Sequence, residues 1–140
     1  MTAQETKQAL SGYLDALMSG GDFGSFFAED VVWTTMENGE QVRGRQEVAD
    51  YIVALHTQIF AASPELVNVA YGDGFAMLEA VFVGTHVGDF DGMAATGAKV
   101  RLPYCVGYTV ADGKITELRA YLSVLALQQQ LTDGTTTSAH

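Results

Sequence analysis

Near Pro64 the hydrophobic pattern of this chain changes its period, and that change limits the folds open to it. Ahead of it, Leu10, Tyr13, Leu14, Leu17 and Met18 recur at i, i+3, i+4, i+7 and i+8, the spacing of one apolar helical face. Thr2 and Glu5 form a T-x-x-E capping box at the start, each side chain satisfying a backbone N–H that the first turn leaves unpaired. Gly20 and Gly21 stop the helix, because glycine accepts the left-handed backbone of a C-cap. Asp22 is placed to cap a short second helix carrying Phe23, Phe26 and Phe27. Residues 31–36 read as a strand, Asn38-Gly39 as a hairpin turn whose two residues tolerate positive φ, and residues 41–43 as the return strand. A longer helix is expected over residues 46–60, with Val48, Ile52, Leu55 and Ile59 inward, and Pro64 forbids its continuation.

Beyond Pro64 the segments 66–71, 74–87, 99–110 and 114–121 are rich in Val, Thr and aromatic residues, as strands are. Gly72-Asp73-Gly74 and Ala111-Asp112-Gly113 are turns between antiparallel neighbours. Residues 88–98, with three glycines, are too long for a tight turn. They read as a mobile lid with glycine hinges rather than a phosphate loop, since they lack the P-loop lysine and any Gly-x-Gly-x-x-Gly opening a helix. A closing helix is expected over 123–131, and a frayed, flexible tail over 132–140. Helices first and long antiparallel strands last give an α+β domain, residues 1–131, in which a curved sheet wraps the helices as a cone. The inside of a cone is a pocket.

Composition narrows the partners. With 17 acidic against 7 basic side chains the net charge is −10, which disfavours nucleic acid and anionic membrane surfaces, both of which are bound through Lys and Arg. No apolar run reaches the roughly 18 residues of a membrane span, and no basic segment leads into an apolar core at the N-terminus, so a cytoplasmic location is expected. Cys105 is the only cysteine. It lies in an apolar run and reads as a small buried hydrophobe.

Particular segments resemble a known family. Gly20-Gly21-Asp22, then Ala28-Glu29-Asp30-Val31-Val32-Trp33, is similar to the opening of nuclear-transport-factor-like domains, and Val42-Arg43-Gly44-Arg45-Gln46-Glu47-Val48 to their strand-to-helix junction. Gly84-Thr85-His86-Val87-Gly88-Asp89-Phe90-Asp91-Gly92, followed by Ala95-Thr96-Gly97 and Asp112-Gly113-Lys114-Ile115, resembles the SnoaL-like polyketide cyclases of that superfamily. The resemblance implies a cystatin-like, cone-shaped α+β barrel with a mostly antiparallel sheet, and commonly a homodimer through the outer sheet face. It also implies that acidic positions used by relatives fall here on Val106, Ala120 and Ser123, none of which can shuttle a proton as a carboxylate does.

Seven side chains are then candidates for the site. For catalysis these are His86, which the resemblance implies at the pocket mouth, and Glu79, a general base if burial raises its pKa. For substrate binding they are Trp33, Tyr104 and Tyr13 as aromatic lining, His56 at the edge of the second long helix, and Arg119 as a holder of a carboxylate or enolate oxygen. Each has a plainer reading. His86 hydrogen-bonds the loop, Glu79 is exposed on the outer face, His56 is a satisfied boundary residue, and Arg119 pairs with Glu79 or Glu117. No cofactor and no metal is expected, and the anticipated ligand is an apolar small molecule. Two functions stay open: a cofactor-independent enzyme moving a proton on an apolar carbonyl compound to promote cyclisation or isomerisation, and a non-catalytic carrier of such a molecule. A third reading, an interaction module using the outer sheet face, would bind another protein there.

Overall fold

The structure, a computed structural model, describes residues 2–137, and for 133–137 the backbone alone. Helix α1 (Ala3–Ser19) begins at the capping box, with the Thr2 hydroxyl accepting from the Glu5 N–H and the Glu5 carboxylate accepting from the Thr2 N–H. It ends at Gly20, at φ 75°. Leu10, Tyr13 and Leu14 are buried as the spacing requires, whereas Met18, in the last turn, stays exposed. Phe23–Phe26 form a single 3-10 turn that Asp22 does not cap with its side chain.

Strands β1 (Phe27–Thr35) and β2 (Glu40–Arg43) are joined by four residues instead of a two-residue turn. Only Gly39 takes a positive φ, and the Asn38 side chain instead accepts from the Glu40 N–H at 3.0 Å. Helix α2 (Arg45–Val53) runs on into a π-helix, Ala54–Ile59. There the side chains of His56 and Thr57 donate to the carbonyls of Ile52 and Val53, four residues back. In a π-helix each amide reaches the carbonyl five residues back, and these two side chains add bonds to carbonyls where the α-helix passes into it.

Strand β3 (Phe60–Gly72) starts six residues before the expected position and runs through Pro64. A proline is tolerated there because β3 is the edge of the sheet, in the order β2-β1-β6-β5-β4-β3. A bulge interrupts its pairing with β4 (Phe75–His86) between Leu66 and Asn68. Strands β5 (Lys99–Ala111) and β6 (Lys114–Tyr121) complete an antiparallel meander, and β1 joins β6 in parallel. Helix α3 (Val124–Thr137) begins at Ser123, whose hydroxyl accepts from the Ala126 N–H. It continues as a helix to Thr137, where a tail was expected from 132, and the Thr132 hydroxyl donates to the Gln128 carbonyl one turn back. Residues 138–140 of that tail lie outside the described residues.

Alternation along β4 and β5 divides the sheet into two chemically distinct faces. Ala76, Leu78 and Ala80, with Val106, Tyr108 and Val110, turn inward and pack with Leu10, Tyr13, Phe27 and Ile52 into the main core. A second cluster, Phe60, Ala98, Val100, Leu102, Leu127 and Leu131, forms where α3 covers the other end of β5. Cys105 stands on the outward parity of β5 and is half-buried there, in register with Glu79 and Tyr121.

Candidate functional site

Between the two clusters the cone stays hollow. A cavity of about 290 Å3 is bordered by Trp33 and Thr35 of β1, Tyr51 of α2, His56 of the π-helix, Phe82 of β4 and Tyr104 of β5. Phe60, Leu102, Leu122 and Leu127 supply apolar wall, while Asn38, Glu40 and Asp91 add polar side chains. This is the apolar concavity with few polar groups that small-molecule sites favour. A larger hollow of about 610 Å3, by Glu5, Gln8 and Asp112, is more open and has no aromatic wall. A third, of about 380 Å3, lies between the end of α1 and β3, and His56 borders it too.

Of the seven candidate residues, three meet at this cavity: Trp33, His56 and Tyr104. Trp33 packs edge-on against Tyr51, and its indole N–H donates to the Thr35 hydroxyl at 3.2 Å, so the ring is held and its donor is spent. Burial pushes the Tyr104 hydroxyl up to about 12, so it keeps its proton. Tyr51 is likewise raised by burial, against the opposing hydrogen bond to Thr35 and with a further push from the negative charge of Glu40. His56 has its ring against Phe82 at 5.5 Å and its Nδ1 2.7 Å from the Ile52 carbonyl. A carbonyl can only accept, so Nδ1 carries the proton and Nε2 keeps a lone pair. Burial lowers the pKa of His56, against the hydrogen bond to Ile52, and so favours this neutral form.

The other four stand elsewhere. Tyr13 is core, packed among Phe23, Phe27 and Tyr108, with its hydroxyl pKa raised by burial. Glu79 is on the exposed outer face, away from the cavity, with its carboxylate accepting from the Asn68 amide at 2.9 Å. Arg119 also faces outward, donating to the Thr109 hydroxyl at 2.9 Å and to Glu117 at 3.0 Å beside the Phe75 ring. His86 is fully buried and does not border the cavity: Phe60 lies against its ring at 5.3 Å and is itself the cavity wall. Val106 and Ala120 are register partners inside the main core.

Residues 87–98 are fastened rather than hinged. The N–H groups of Val87 and Gly88 both donate to the Ile59 carbonyl, Phe90 and Met93 exchange two bonds, and Gly97 donates to the His86 carbonyl. Gly88 runs so close to the Gln58 carbonyl that a Cβ would collide with it. Asp91, at φ 49°, accepts from the Gln128 amide. Sequence reasoning missed Tyr51, Phe82 and the loop's Phe90 and Asp91 as lining. Phe82 was within reach, since it shares the inward parity of Tyr104. Among the described residues no group of three or more His, Cys, Asp or Glu is arranged to hold a metal ion.

Residues 8–131 match the family model described as SnoaL-like polyketide cyclase. Among solved structures, one described as a SnoaL-like polyketide cyclase from Jannaschia sp. CCS1 is similar at TM-score 0.81 and 18% identity, over 91% of this chain and 92% of that one. A polyketide cyclase-like structure from Xanthomonas campestris gives 0.80 and 22%, over 94% and 99%. An LEH-like epoxide hydrolase from M. tuberculosis gives 0.72 and 17%, over 97% and 96%. At these identities the likeness is one of fold. No curated protein matches the chain in sequence.

Proposed function

The chain belongs to the SnoaL-like polyketide cyclase family, and from that premise we propose a cofactor-independent enzyme that moves a proton on an apolar carbonyl compound, promoting cyclisation or isomerisation. The observation that carries this reading is His56: a neutral imidazole on the cavity wall, its Nδ1–H tied to Ile52 and its Nε2 lone pair left for a substrate C–H. His56 takes the α-proton as base. The Tyr104 hydroxyl, kept protonated by burial, donates to the enolate oxygen as charge develops there. Phe60, Phe82 and Trp33 exclude water from the anion so formed.

The test is α-proton exchange of 2-tetralone, a neutral bicyclic ketone, in D2O followed by NMR. Wild-type protein should exceed buffer, and His56→Ala should lose about a hundredfold of that rate. Exchange unaltered by His56→Ala sinks the assignment. The absence of carboxylates at Val106 and Ala120 favours a second reading, a carrier that binds without chemistry. It expects 2-tetralone to quench Trp33 fluorescence with no exchange above buffer.

The same reading includes a homodimer through the outer face, where Phe75 and Tyr121 are 44% and 46% exposed, and a cytoplasmic location. Sedimentation showing only monomer at micromolar concentration argues against the dimer. No helix among the described residues is long and apolar enough to cross a membrane.

A further inference from the structure

We infer that His86 is a positioning residue for the cavity: its neutral ring, protonated on Nε2, fastens Thr96 and so keeps the 87–98 loop, with Phe90 and Asp91, against the cone. This rests on reading the cavity as the ligand site. The Thr96 N–H donates to His86 Nδ1 at 3.1 Å, and an amide can only donate, so Nδ1 is bare and the proton sits on Nε2. The Thr96 hydroxyl completes the clasp. It accepts from the Ala98 N–H at 3.1 Å, which leaves its own proton for Nδ1 at 3.0 Å.

Nε2 is buried and has no hydrogen-bond partner among the described residues. Burying an unpaired N–H is costly, and an apolar side chain of this size would avoid that cost. What the imidazole supplies that an apolar residue could not is the acceptor, Nδ1. The clasp acts on the returning limb of the loop, opposite the limb that Val87 and Gly88 tie to Ile59. Between these limbs the turn from Phe90 to Met93 carries the two residues that reach the cavity. The same imidazole ring backs Phe60, and Phe90 lies on Phe60 at 5.5 Å, so one side chain supports both the wall and the loop over it.

Long-range 15N–1H spectra of the imidazoles read the ring directly. His86 should show the Nε2–H tautomer, and an Nδ1–H tautomer overturns the assignment. Hydrogen exchange and binding of 9-fluorenone, followed by Trp33 quenching, then read the loop. His86→Asn places an amide oxygen near the position of Nδ1 and should hold both Thr96 amide protection and affinity within about threefold of wild type. His86→Leu keeps the bulk without the acceptor and should lose about tenfold of each. Wild-type protection in His86→Leu removes the proposal, as does equal loss in the Asn and Leu variants. Should the Leu variant not fold, Thr96→Val, which strips the clasp's hydroxyl, takes its place with a loss of a few-fold expected against His86→Asn. If 9-fluorenone does not bind the wild type, it is the reading of the cavity that fails, and the tautomer and the Thr96 protection still decide the role of His86.

Discussion

His56 and His86 lie on either side of the same two phenylalanines, Phe82 and Phe60, yet their rings are protonated on opposite nitrogens. His56 gives its Nδ1 proton to a carbonyl within its own helix and turns a bare Nε2 outward from that bond. His86 does the reverse, accepting at Nδ1 from a loop and burying an unpartnered Nε2–H. One ring is thereby left a lone pair at a cavity, and the other spends its lone pair on the chain. The residue type is shared, and what separates the roles is the nearest backbone group, an acceptor in one case and a donor in the other.

The partition between these two regions is the place to break the comparison. Phe60 is fully buried and touches Phe82, His86 and Phe90, so Phe60→Ala should cost about 3–5 kcal/mol in urea unfolding. It should also merge the surroundings of the two rings, visible as a shift of both imidazole signals. A loss below about 1 kcal/mol would mean that the wall is not packed as described. Next, Gly88→Ala drives a methyl into the Gln58 carbonyl and should cost about 1–3 kcal/mol, with loss of amide protection at Val87 and position 88 while α1 stays protected.

A smaller effect sharpens the His56 side. Burial lowers its folded pKa below the unfolded value near 6.5, so the unfolded chain binds the proton more readily. The associated stability is fully present above the unfolded pKa and declines as pH falls through it, levelling off below the folded pKa. The urea midpoint of wild type should therefore fall more between pH 8 and pH 5 than that of His56→Gln, and equal slopes would refute the shift. The least effect is expected on the outer face, where Glu79→Gln should leave α-proton exchange unchanged and stability within about 0.5 kcal/mol.

Local grammar was legible. The capping box of α1, the strand period after Pro64 and the turns at Asp73 and Asp112 are each set by a few neighbouring residues, and each stands where the pattern places it. Parity in β4 already put His86 and Glu79 on opposite faces. What parity could not say is whether the inward histidine meets a cavity or a phenylalanine, because Phe60 arrives from another strand. The π-helix was illegible for a similar reason, its side chain to carbonyl bonds being one solution among several for that sequence. The start of β3 was misplaced because proline argues against a strand unless the strand is an edge, and edge position is a property of the whole sheet. Glu40, Tyr51 and Asp91 converge from three separate segments, and nothing local marks them as neighbours.

The edge position of β3 has a bearing on how this protein behaves in a crowded solution. Leu66 and Val67 are exposed there, at 42% and 53%, on a strand of thirteen residues. An open edge of that length and apolarity invites strand-to-strand polymerisation. Pro64 removes one N–H from the row of donors, and the bulge between Leu66 and Asn68 breaks the spacing of the rest. A second chain approaching this rim meets a template with a gap and a kink, and the irregularity that hid the strand from sequence reasoning is also its guard against aggregation.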